Sequence, residues 1–164
     1  MIKKVIQDPN PILHQKTQYL LKTELYSSRI RDIIRDMRDT LKEQDGLGLA
    51  APQIGELLSI FVIPDNIAPK LRTPLIPFSI IRPLHPTVFI NPEITRHSKE
   101  REALDEGCLS IRGAFHRTPR AYKVKLKALD ERGRRFTIHA EGVLARIFQH
   151  ETDHLNGILF IERL

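Results

Sequence analysis

Between residues 121 and 148 the apolar period changes once, and that change restricts the folds open to the chain. Tyr122, Val124, Leu126 and Ala128 alternate with Lys123, Lys125 and Lys127, a turn follows at 130–133, and Phe136, Ile138 and Ala140 then share one face. Two period-two runs joined by a turn predict a β-hairpin with one face in the core. From about 141 the spacing is helical. Val143, Leu144, Ile147 and Phe148 lead into 150-HETDHLNG-157, where Asn156-Gly157 is a stop signal. This helix is apolar enough to be central.

Elsewhere, residues 24–44 carry Leu25, Ile30, Ile33, Ile34, Met37 and Leu41 at helical spacing among charged residues, with Gly46 as the stop. The apolar runs 59–63 and 87–90, the second ending at Asn91-Pro92, predict short strands. Strands and helices in this order, with no repeat or linker, predict one α+β domain over 1–164. Residues 64–86 hold six of the eleven prolines, which excludes a central strand or helix there and predicts a loop insertion. A lid beside a site and a plain surface insertion both fit such a loop.

Hydrophobic residues at 41% and charged residues at 28% match a soluble globular chain, and no apolar run reaches the roughly 20 residues a membrane span needs. The opening MIKKVIQDPNPIL lacks the apolar core of a secretory signal, so a cytoplasmic protein is expected. One cysteine, Cys108, excludes an internal disulfide and leaves a buried hydrophobe, a reactive thiol or a metal ligand. The net charge of +6 favours anionic partners, and 122-YKVKLKALDERGRR-135 concentrates it. That stretch reads either as a solvated strand face or as a surface that docks on the ribosome; no nucleic-acid motif accompanies it.

In HETDH, His150 and His154 fall on one helix side with Glu151 adjacent. Two imidazoles at this spacing can bind a metal, and the carboxylate can serve a metal-bound water as general base; a polar helix turn is the plain alternative. A catalytic site of this kind takes three protein ligands. Ten residues follow His154, with Glu162 the sole ligand type among them, so the third ligand is expected upstream. Cys108 in 106-EGCLS-110 is the best candidate there, against a core cysteine. In 46-GLGLAAPQIG-55 the small residues leave backbone open to close approach and Gln53 offers an amide donor, against a tight loop closing the first helix.

GLGLAAPQ, EGCLS and HETDHLNG in this order closely resemble the three signature motifs of peptide deformylase. QDPNPILHQ, INPEI and ALDERGRRF extend the resemblance along the chain. It implies an α+β fold of short antiparallel or mixed sheets around a central C-terminal helix carrying HExxH, plus an N-terminal amphipathic helix. It implies that Cys108, His150 and His154 bind one divalent metal, most often Fe2+, with Zn2+, Ni2+ or Co2+ as substitutes. Glu151 becomes the acid/base, while Gln53 and the Leu109 N–H form the oxyanion hole. Gly48 would present backbone to the peptide, and Leu47, Val143, Ile147 and the stem of Arg146 would line a methionine pocket. The implied substrates are N-formylmethionyl peptides, which release formate. Arg112 and Phe115 depart from the usual family residues at positions that touch substrate. An HExxH metallopeptidase, a non-catalytic paralogue that binds the ribosome or RNA, and a structural domain are the alternatives.

Overall fold

The structure is a computed structural model and describes residues 1–68 and 87–163. Seven strands and two α-helices order as α1 (Ser28–Gln44), β1 (Leu49–Ala50), β2 (Ile60–Val62), β3 (Val88–His97), β4 (Arg101–Cys108), β5 (Ile111–Ala121), β6 (Lys123–Leu129), β7 (Arg135–Glu141) and α2 (Gly142–Leu155). One sheet runs β1-β2-β3-β6-β7 with every neighbour antiparallel, and β4-β5 forms a separate two-stranded ribbon. Together with the two helices this is the α+β arrangement expected.

Strand burial explains two sequence patterns that differ. On β2 and β3, Ile60, Val62, Val88 and Ile90 pack with α1 residues Ile30, Ile34, Met37 and Leu41. Phe61, Ile63 and Phe89 face the other way, onto Ala145, Phe148 and Leu155 of α2. Covered on both faces, these strands read as continuous apolar runs. On β6 only one face is covered. Val124, Leu126 and Ala128 join the α2 core, whereas Lys123 and Lys127 are exposed, which produces strict alternation.

Three boundaries differ from expectation. The first helix starts at Ser28 rather than 24, because Ser27 caps it by accepting from the Ile30 N–H at 3.3 Å. Its left-handed stop is Asp45 at φ 51°, not Gly46. The strand expected to end at Asn91-Pro92 continues to His97 through irregular register. There Asn91 adopts φ 49° and its side-chain amide exchanges two 2.9 Å hydrogen bonds with the Leu20 backbone. The ribbon β4-β5 was not foreseen. Of the proline-rich stretch, Asp65–Ile67 forms a 3-10 turn flanked by Pro64 and Ala68, and residues 69–86 of the expected loop lie outside the described residues.

No described helix is long and apolar enough to cross a membrane. Phe148 locks α2 onto the sheet, with ring centroids 5.0 Å from Phe89 and 5.9 Å from Phe61. Phe148→Ala is expected to cost about 3–5 kcal/mol, measured as a fall in the urea midpoint at unchanged slope.

Candidate active site

Helix α2 is unusual in what it buries: Arg146, Gln149, Glu151, Asp153 and His154 are all buried along with its apolar face. Buried polar groups need partners, and those partners decide the site. Gln149 is satisfied structurally, accepting from the Ala121 N–H at 3.0 Å and donating to the Ala121 carbonyl at 2.9 Å. The others converge on the ribbon. Glu106, on β4, accepts from Arg120 at 2.6 and 3.1 Å, from Arg146 at 2.9 Å and from His150 Nδ1 at 2.6 Å. Asp153 is held by Arg120 and by Arg163, the latter at 2.6 Å.

Burial opposes the charge on Glu106, but the hydrogen bonds from His150 and Arg120 outweigh it and hold the carboxyl at about 2. An ionised carboxylate only accepts, so His150 donates to it from Nδ1, and Nε2 is the nitrogen left to face a metal. Burial lowers the proton affinity of His150, while Cys108, Glu106 and Glu151 raise it to about 10. His154 is pushed the other way by burial and by the His150 and Arg120 charges, which favours neutral imidazole. Its Nε2 lies 3.2 Å from Cys108 Sγ.

Ligand atoms of Cys108, His150 and His154 all lie within 4.8 Å of one another. A thiolate and two imidazoles suit a borderline divalent metal. Beside them Glu151 is 3% exposed, and its Oε2 has no hydrogen-bond partner among the described residues. Burial raises its carboxyl to about 7. Gly48 makes room for it, since a Cβ there would overlap the Glu151 carboxylate. The donor set and the unsatisfied carboxylate both fit a metal ion with a water beside it.

A cavity of about 490 Å³ opens over this cluster, lined by Leu47, Gly48, Gln53, Cys108, Leu109, Val143, Arg146, Ile147, His150 and Glu151. His154 lies beneath it, buried. Every site residue expected from sequence is thus brought to one place. Arg146 borders the cavity as expected, with its guanidinium committed to Glu106 and to the carbonyls of Thr118 and Glu102. Phe115 is 71% exposed on the same rim, stacked over Gly107. Sequence reasoning missed Glu106, Arg120 and Asp153. No local signal marked them: the ribbon that carries Glu106 and Arg120 was not expected, and Asp153 reads as a polar helix position.

The family model for polypeptide deformylase matches residues 2–164. The chain belongs to the polypeptide deformylase family. It is 40% identical to the peptide deformylase of Thermomicrobium roseum, over 99% of this chain and 86% of that one. Among solved structures, the peptide deformylase of Thermotoga maritima matches at TM-score 0.84 and 32% identity, covering 100% of this chain and 98% of that chain. The Met-Ala-Ser-bound class I type b peptide deformylase of Acinetobacter baumannii matches at TM-score 0.83 and 32% identity, covering 100% and 99%. Like the family, this deformylase is a metal-dependent hydrolase that removes N-formyl groups.

Two expectations follow from the geometry. Glu106→Gln is expected to weaken metal binding by about 10–100-fold, read by chelator competition. Gly48→Ala displaces Glu151 and is expected to lower turnover about 100-fold, with metal content unchanged.

Proposed function

We propose that residues 1–164 form one catalytic domain in which Cys108, His150 and His154 hold a single divalent ion and Glu151 moves the proton during deformylation of N-formylmethionyl peptides. The observation that carries this reading is the convergence of Cys108, His150, Glu151 and Gln53 on one cavity, with the buried His154 within ligand reach of Cys108 and His150. We take the native ion to be Fe2+, as the family resemblance implies, with Zn2+, Ni2+ and Co2+ as substitutes. When bound, the ion supplies Lewis acidity to water and to the formyl oxygen.

The chain's own groups do the remaining work. Glu151 accepts a proton from the attacking water and returns one to the departing amine, so that the C–N bond breaks to give formate and a free N-terminus. A buried carboxyl with raised proton affinity suits a group that must do both near neutrality. Gln53 and the Leu109 N–H donate to the oxyanion as the carbonyl carbon becomes tetrahedral. Gly48 presents backbone to the peptide. Leu47, Val143, Ile147 and the Arg146 stem give the methionine side chain an apolar wall, and the Met-Ala-Ser complex of the Acinetobacter enzyme supports a peptide in this cleft. The exposed Lys123 and Lys127 give β6 a basic face that suits the ribosome surface, in keeping with a cytoplasmic enzyme of protein synthesis.

Formate release from formyl-Met-Ala-Ser, by protein purified without oxygen and loaded with Fe2+, tests this reading. Oxygen is excluded because iron and thiolate both oxidise. Glu151→Gln is expected to keep its metal and lose about 10²–10⁴-fold in turnover, while Cys108→Ala and His150→Ala lose the metal. Cleavage of an internal peptide bond with the formyl group intact would instead mark a metallopeptidase.

A further inference from the structure

We propose that Ser110 is a positioning residue whose hydroxyl holds the Gln53 amide in the one orientation that aims its second N–H at the Cys108 side of the catalytic cleft. This rests on the reading of Gln53 as an oxyanion donor.

Gln53 is 1% exposed and Ser110 is fully buried, so neither can exchange a lost partner for water. The Ala50 N–H donates to Gln53 Oε1 at 2.8 Å, which decides which end of the amide is oxygen. Gln53 Nε2 then donates one hydrogen to Ser110 Oγ at 3.1 Å. A planar group anchored at both ends cannot turn about its terminal torsion. Its second N–H points to the metal-ligand side, where it donates a long hydrogen bond to Cys108 Sγ at 3.6 Å. Gln53 and Cys108 both line the cavity.

The backbone keeps the two partners in register although they come from distant loops. The Ile6 N–H donates to the Gln53 carbonyl at 2.8 Å and the Asp8 N–H to the Ser110 carbonyl at 2.9 Å. Between them, Gln7 Nε2 donates to the Leu109 carbonyl at 2.9 Å. One short segment thereby ties the loop of Gln53 to the loop of Leu109 and Ser110. The Ser110 hydroxyl links the two loops side chain to side chain, and its loss leaves the backbone bonds and the Gln7 bond in place. The Ser110 N–H, 3.4 Å from Cys108 Sγ, also survives truncation to alanine.

The test is a double-mutant cycle on formate release, with Ser110→Ala, Gln53→Ala and the pair. Ser110→Ala is expected to lower kcat about tenfold, the value of one buried neutral hydrogen bond, with KM and bound metal unchanged. The pair is expected to be no slower than Gln53→Ala alone, since Ser110 acts only through that amide. A kcat in Ser110→Ala equal to the parent, beside a slow Gln53→Ala, overturns the positioning role and leaves the oxyanion reading standing. A parental kcat in Gln53→Ala overturns the oxyanion reading itself. Additive losses in the pair would show that the hydroxyl acts on the sulfur or the fold rather than through the amide, and overturn the proposal.

Discussion

Glu106 is the interaction on which the rest of the site depends. Its carboxylate is buried and receives hydrogen bonds from Arg120 on β5 and from Arg146 and His150 on α2. Burying one carboxylate beside two guanidinium groups costs several kcal/mol per ion unless every lone pair and proton is satisfied. Here Arg120 is shared with Asp153, and Asp153 with Arg163, so the charges are paired out to the protein surface. The network docks the ribbon β4-β5 on α2 in one register. That register carries Cys108 to the histidines.

An ionised Glu106 also decides the chemistry of its neighbour. It holds the His150 proton on Nδ1 and thereby selects the tautomer that can ligate through Nε2. His154 has no such carboxylate among the described residues, and its burial favours the neutral ring. Glu151, one residue further along the same helix from His150, lacks a hydrogen-bond partner on Oε2 and is kept readily protonated by burial. Neighbouring side chains of one helix turn therefore serve as ligand and proton carrier because their surroundings differ, not because of residue type alone.

The apolar frame makes this precision affordable. Sheet strands β2 and β3 lie between α1 and α2, and the stacked Phe61 and Phe89 rings, with centroids 4.5 Å apart, brace Phe148. A helix held so firmly on its apolar side can present polar groups on the other with little freedom. The cleft side is the reverse: Leu47, Leu104, Phe115 and Val143 are among the few large apolar side chains left exposed. An exposed apolar rim over a polar floor suits a ligand with an apolar side chain and a polar backbone.

The local elements and the reactive residue types were legible in the sequence. The lysine alternation marked β6, the helical spacing marked α1 and α2, and HETDH placed two imidazoles and a carboxylate one helix turn apart, because these follow from backbone periods of two and 3.6. The motif resemblance then pointed to Cys108 and Gln53. Only the tertiary structure decided how they meet. Cys108 lies 46 residues from His154, and Gln53 lies 57 from Ser110, separations that no local period spans. The roles of Glu106, Arg120 and Asp153 were likewise invisible as sequence, since a charged residue reads as solvated surface until strand pairing and helix docking remove its water. Burial is a property of the assembled fold, and at this site burial selects the tautomer, the proton affinity and the partner of each group.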